Sequence, residues 1–327
     1  VPAGYPPEYA SIVDGAAKEG QLVIWSSTDR SQVSDLLDQF REKYPKITVT
    51  YREMRAINIY NWFVGKGGAR SEGAPPPDLM WNSAMDLQIK LVNDGHAQSY
   101  TSPESSGIAG WANWKNQAWG ITAEPIVLVY NRRAISGAKV PRSHLELRKL
   151  LEAPESELKG HVATYDPEQS AFGYHLLAQD DLASPDIWRT VRALSANEVR
   201  LLPTTKAIIS EVAEGKVQIG YNVLGSYAAE SAKRNPDIGV VLPSDYTLVA
   251  SRIAMIPRTA RHVNAARLFL YYLLSPAGQR DLVKHSMPSV RDDVPPPRSL
   301  AADVASTRAI RVGPALLVTQ DTLSRAH

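Results

Sequence analysis

The residue types that carry most enzyme chemistry are few and scattered in this sequence. Its seven histidines, His96, His144, His161, His175, His262, His285 and His327, include no pair three or four residues apart. No helix turn therefore offers two imidazoles to a metal. There is no cysteine, which excludes disulfides, thiolate metal sites and cysteine nucleophiles. The G-x-S-x-G, Walker A, G-x-G-x-x-G and H-E-x-x-H patterns do not occur. No catalytic residue, metal site or cofactor is assigned. Adjacent Tyr271 and Tyr272 could hold ferric iron through two phenolates, but residues 265–274 (AARLFLYYLL) read as an amphipathic helix in which both rings pack. What remains is a set of small polar side chains at the starts of expected helices. They are Ser26, Ser27 and Thr28; Asn82 and Ser83; Gln169, Ser170 and Ala171; Thr204 and Thr205; and Asn222 through Tyr227. Free N–H groups and hydroxyls at helix starts are the chemistry of anion binding. The same hydroxyls also serve as helix caps.

The elements that must position them alternate. Residues 8–19 carry a helical pattern that Gly20 stops. Residues 21–25 (QLVIW) form a short apolar strand, 31–44 a helix closed by Pro45, and 47–53 (ITVTYRE) a strand of period two. A helix over 57–66, a Gly- and Pro-rich loop over 67–77, a strand at 78–81 and a helix at 84–93 follow. A second block runs from the strand 126–130 through strands at 161–165, 199–202, 217–221 and 238–242, with helices between them. Residues 247–256 (TLVASRIAMI) read as one long strand, and 264–274 and 276–285 as helices. This order predicts an α/β fold of two doubly wound blocks. In such sheets ligands sit beyond the carboxyl ends of the strands, which is where the loops at 26–28 and 82–83 lie. Arg52, Arg55 and Arg252 are candidate counter-charges.

Composition narrows the class. The 327 residues carry 36 Lys and Arg against 34 Asp and Glu, a formal charge of +2. That balance gives no electrostatic case for nucleic acid or an anionic membrane. No apolar run reaches the length of a membrane span. The start, Val1-Pro2-Ala3-Gly4, has neither an initiator Met nor a basic-then-apolar leader. This fits a mature form whose signal peptide has been removed, or a trimmed chain.

Several segments together carry a resemblance. They are residues 16–28 (AAKEGQLVIWSST), 78–83 (DLMWNS), 125–131 (PIVLVYN), 165–167 (YDP) and 264–279, which opens NAARLFL and closes LSPAGQ. In this order and spacing, over nearly the whole chain, they resemble the periplasmic solute-binding proteins of bacterial ABC importers. More narrowly, they resemble the family 1 extracellular branch that includes the ferric-ion-binding proteins. The resemblance implies a type II periplasmic binding fold: two α/β lobes, a ligand cleft between them and a hinge that closes. Lobe one would be residues 1–122 plus 248–327 and lobe two 123–247, with crossings near 122–130 and 243–249. It also implies a monomeric receptor in the periplasm, not an enzyme, that hands a small solute to an ABC transporter permease.

The ferric pattern is broken. Where the iron binders have a tyrosine pair after an Asn, this chain reads Tyr221-Asn222-Val223-Leu224-Gly225-Ser226-Tyr227. The Asn is present and the pair is not. The expected ligand is therefore a small anion, held by Ser26, Ser27, Thr28, Asn82 and Ser83 on lobe one. Gln169, Ser170, Ala171, Asn222 and Tyr227 would hold it on lobe two, with Asp245 and Tyr246 bordering the cleft at the second crossing. The alternatives are a ferric-ion receptor of the same fold, a transferase-type α/β enzyme using the cleft, or a sensor that reports its ligand state to a signalling partner.

Overall fold

A computed structural model describes residues 5–65, 75–301 and 305–317. Most of the loop expected at 67–77, and the extreme carboxyl tail, lie outside the described residues. The first part of the chain runs α1 (Glu8–Glu19), β1 (Gln21–Ser26), α2 (Ser34–Lys43), β2 (Thr48–Glu53), α3 (Ala56–Val64), β3 (Leu79–Asn82), α4 (Met85–Asn93), β4 (Asn113–Trp114) and β5 (Ala118–Gly120). Gly20 ends α1 as expected: at φ 66° it adopts the left-handed conformation, and its N–H closes on the Ala16 carbonyl.

The middle part comprises β6 (Glu124–Asn131), α5 (His144–Glu152), β7 (Val162–Tyr165), α6 (Ala171–Ala183), α7 (Ile187–Ala196), β8 (Arg200–Leu202), α8 (Thr205–Ala213), β9 (Ile219–Leu224), α9 (Gly225–Arg234) and β10 (Ile238–Val241). The chain finishes with β11 (Thr247–Ala250), β12 (Ile253–Met255), α10 (Val263–Leu274), α11 (Pro276–Lys284) and β13 (Thr307–Ala309).

The strands form two sheets, β2-β1-β3-β12-β5-β4 and β13-β11-β6-β9-β7-β8, with β10 paired to β6. Within each sheet the strands of the βαβ units are parallel: β1 with β2 and β3, and β7 with β8 and β9. The antiparallel members are the strands next to the crossings. β12 pairs antiparallel with β3 and β5, and β6 antiparallel with β9 and β11. A strand that arrives from the other sheet enters against the direction of its new neighbours.

The expected long strand at 247–256 is divided. Its first four residues stay in the second sheet as β11, and Ile253–Met255 join the first as β12. At the break the backbone changes partners: Arg252 N–H donates to Thr122 Oγ1 at 3.0 Å, and the Ile121 N–H donates to the Arg252 carbonyl at 2.9 Å. The other crossing occupies residues 121–123, between β5 and β6. The two crossings thus lie side by side, bonded to each other.

Apolar faces of α1, α2 and α10 close over the first sheet in one cluster that includes Leu36, Phe40, Trp81 and Phe269. Trp81 and Phe269 stack at 5.9 Å. Tyr271 and Tyr272 sit in this cluster at 2% and 7% exposure, and Tyr272 donates its hydroxyl to Asp281 at 2.6 Å. The adjacent tyrosines are packing residues of α10, as their amphipathic setting predicts.

Candidate functional site

A cavity of about 400 Å³ opens between the two sheets. Its walls are the loops that leave strands at their carboxyl ends. From the first sheet come Ser27 and Asp29 after β1, Met54 and Arg55 after β2, and Ser83 after β3. From the second come Gln169 and Ser170 after β7 and Pro203 and Thr204 after β8, with Tyr227 from the first turn of α9. The opening residues of three helices line it as well: Ala56 and Ile57 of α3, Ala171 and Phe172 of α6, Thr205 and Lys206 of α8. The first N–H groups of a helix have no partner within it and carry the positive end of its dipole. Side-chain hydroxyls satisfy part of this demand: Ser170 Oγ accepts from Gly173 N–H and Thr204 Oγ1 from Ala207 N–H, both at 3.1 Å. Those two hydroxyls are caps. No side chain caps α3.

Charge is distributed unevenly around the cavity. Asp29, on the first-sheet side, takes the Lys206 ammonium at 2.7 Å and the Tyr227 hydroxyl at 2.5 Å, both from the second-sheet side. Burial, reinforced by Asp29 and opposed by Arg252, pushes the Tyr227 phenol well above its ordinary range. Glu53 Oε1 accepts from the Arg30 N–H at 2.6 Å. Arg55 Nη2 reaches across to the Gln169 carbonyl at 2.7 Å. That partner is neutral, so among the described residues no carboxylate cancels the Arg55 charge.

Arg252 lines the cavity from beneath at 2% exposure. Its Nε and Nη2 grip Glu124 at 2.7 and 3.0 Å, its Nη1 donates to Thr28 Oγ1 at 2.5 Å, and its guanidinium lies 5.6 Å from the Tyr227 ring centre. Glu124 is 1% exposed and also accepts from Thr122 Oγ1 at 2.8 Å and from Ser226. Burial raises the Glu124 pKa, but the Arg252 charge and these hydrogen bonds outweigh it and hold the carboxyl below its ordinary range. One residue of this pair begins β6 and the other sits between β11 and β12, so the bidentate pair clamps one crossing to the other.

The residues expected from sequence divide into three groups. Ser27, Ser83, Gln169, Ser170, Ala171 and Tyr227 line the cavity. Ser26, Thr28 and Asn82 stand behind it, fully buried. Ser26 Oγ accepts from Thr28 N–H at 2.9 Å, Thr28 Oγ1 also accepts from Trp81 Nε1 at 2.9 Å, and Asn82 donates to Gln88 at 2.8 Å. Asn222, Asp245 and Tyr246 are not among the lining residues; they lie in a separate cluster of the second sheet. Asn222, at φ 59°, and Tyr246 both donate to Asp180, Tyr246 at 2.9 Å. Asp245 accepts from His144 Nδ1 at 2.8 Å and from the first N–H groups of α5 at 3.1 and 3.2 Å. Burial opposes ionisation of Asp245, but these bonds prevail and set its pKa at about 2. Asp245 and Tyr246 precede the change of sheet, which the chain makes at Ser251 and Arg252 and not at 243–249.

Sequence reasoning missed Asp29, Glu53, Met54, Ala56, Ile57, Pro203 and Lys206. The signal existed. The rule that ligands gather at strand carboxyl ends applies to the loops after 47–53 and 199–202 as much as to those after the first and third strands.

Residues 35–308 match the bacterial extracellular solute-binding proteins. The chain belongs to that family. A substrate-binding protein of an ABC transporter from Agrobacterium tumefaciens is 35% identical over 94% of this chain and 91% of its own, with a TM-score of 0.85. AfuA of Actinobacillus pleuropneumoniae, solved with fructose 6-phosphate, and iron-bound HitA of Pseudomonas aeruginosa share the fold at 17% identity each. They cover 94% and 93% of this chain and 97% of their own, with TM-scores of 0.76 and 0.74. No curated protein sequence matches. This solute-binding protein therefore has the type II periplasmic binding fold expected from its sequence, and it is a receptor of the ABC-transporter class. Its family and its structural relatives are transport proteins rather than enzymes. Among the described residues no helix is long and apolar enough to cross a membrane.

Proposed function

We propose that this receptor captures a small anionic solute in the cavity between its sheets and delivers it to an ABC permease, acting as a monomer in the periplasm. The observation that carries this reading is the convergence of the α3, α6 and α8 amino termini on one cavity, with Arg55 beside them as a cation that no described carboxylate cancels. A carboxylate or phosphate there gains several charge-assisted hydrogen bonds at once. AfuA supports the reading in kind, since a receptor of this fold holds a sugar phosphate.

HitA holds iron on the same fold, and Asp29, Glu53 and Tyr227 give a ferric reading some material here. The donor set argues against it: among the described residues no three His, Asp or Glu side chains are grouped so that they could hold a metal ion, and Tyr227 has no second tyrosine beside it in the chain.

In this proposal the first sheet and its helices form one lobe and the second sheet the other. The hinge lies at residues 121–123 and 251–252, and the tail strand β13 rides with the second sheet. Arg55 to Gln169 and Asp29 to Lys206 and Tyr227 are then contacts of the closed state.

Thermal-shift screening of inorganic phosphate, sugar phosphates, carboxylates, ferric citrate and polyamines tests the reading. A bound ligand at a hundredfold excess over its Kd stabilises by about 2.7 kcal/mol, so the matching class raises the melting point. If only ferric ion or an amine does so, the anion assignment is wrong.

A further inference from the structure

The cleft does not end at Tyr227. A second cavity of about 400 Å³ adjoins the first, and Asp29, Lys206 and Tyr227 line both. The ion pair and hydrogen bond that meet on Asp29 are thus a partition between two compartments, not an end wall. The partition is weak. The Lys206 side chain is 63% exposed, and an ion pair so exposed contributes little to stability. A ligand group can displace it without large cost.

The far compartment has its own chemistry. Ile209 and Ile238 give it an apolar floor, Ser31 and Ser231 bring hydroxyls, and Glu230 and Arg234 stand at its rim 3.7 Å apart. A second full negative charge placed there would meet Asp29 and Glu230, and a positive one would meet Lys206 and Arg234. Hydroxyl groups, donors and acceptors at once, satisfy both kinds of neighbour, and the C–H faces of a polyol chain rest on the two isoleucines.

Resting on the anion reading of the first cavity, we infer that the solute is elongated. Its anionic group occupies the first cavity, and a polyhydroxylated chain passes Tyr227 into the second.

Isothermal titration of the full chain with inorganic phosphate, glycerol 3-phosphate and sorbitol 6-phosphate tests this. The six-carbon compound is expected to bind at least about tenfold more tightly than the three-carbon one. Ser231→Trp and Ser210→Trp, which fill only the second compartment, should each erase that gain and leave phosphate affinity within about twofold of wild type. Two sites of substitution guard against one variant failing to fold, and circular dichroism confirms which is native. If wild type shows no gain from chain length, or if both native variants retain it, the elongated solute is refuted. If phosphate and both its esters fail to bind wild type and carboxylates also leave its melting point unchanged, the anion reading itself has fallen and takes this inference with it; if a carboxylate alone binds, glycerate and gluconate replace the two esters in the same comparison.

Discussion

Replacing Glu124 by Gln keeps the size of the side chain and removes its charge. In the native protein both carboxylate oxygens are in use: Oε1 takes Arg252 Nε and Thr122 Oγ1, and Oε2 takes Arg252 Nη2 and Ser226. Every one of these four partners is a donor. A Gln amide offers one acceptor and turns its NH2 toward two of them, and it leaves the Arg252 guanidinium charged, 2% exposed and unpaired. Breaking a buried pair in this way costs about 3–5 kcal/mol, which lowers Tm by roughly 4–7 °C in a protein of this size. Exchanging both partners, Glu124→Met with Arg252→Met, removes the orphaned charge and should be less damaging than the sum of the singles, with a coupling energy of about 2 kcal/mol or more. Urea unfolding of wild type, both singles and the double supplies the cycle. The Glu124 carboxyl is held below its ordinary range. Its contribution is therefore fully present above the unfolded-state pKa of about 4.3 and is lost as pH falls through the lowered value. A Glu124→Gln protein within about 1 kcal/mol of wild type, or a strictly additive double, would refute the idea that charge pairing holds the two crossings together.

Arg55→Gln should weaken binding of the anionic solute by about 10–100-fold, the loss of one charge-assisted hydrogen bond, with unchanged urea stability; titration calorimetry that finds equal affinity sets Arg55 outside the site. Tyr271→Phe together with Tyr272→Phe should leave solute affinity unchanged and cost about 1 kcal/mol, mainly from the hydrogen bond to Asp281; abolished binding in a folded variant would contradict the packing role. Asp245 titrates at about 2 in the folded protein against about 3.9 unfolded. Its contribution is thus complete above about pH 4 and lost as pH falls toward 2. Asp245→Asn should cost about 1 kcal/mol at pH 7 through the α5 cap and little at pH 2, and an equal cost at both pH values, read from thermal melts, would remove Asp245 as the cause.

Much of this architecture is legible in the chain because it rests on local signals. Gly20 stops α1 and the run QLVIW is a strand whatever surrounds them. The cavity-lining loops at Ser27, Ser83 and Ser170 follow from strand ends alone. The rest depends on partners far away in sequence. Nothing in TLVASRIAMI says that it divides at Ser251, because the division is made by Thr122 and Ile121, well over a hundred residues earlier. Glu124 and Arg252 are 128 residues apart, and each alone reads as a surface charge. Asp29 and Lys206, 177 residues apart, line one cavity only because the sheets face each other. The crossing expected at 243–249 falls at 251–252 because Arg252 pairs there with Thr122 and Ile121.

The place of β12 has a consequence for how the molecule comes into being. It lies in the middle of its sheet, between β3 and β5, yet it is made of residues 253–255. A chain that emerges residue by residue, from a ribosome or through a membrane channel, presents β3 and β5 with a gap between them that nothing earlier in the sequence fills. Contacts of such sequence separation form slowly. The amino-terminal third can build its helices and the β2-β1-β3 ribbon, but it waits for a strand delivered from more than a hundred residues downstream before its sheet is whole. The first sheet therefore cannot be complete until residues 253–255 are present, however early its other strands pair.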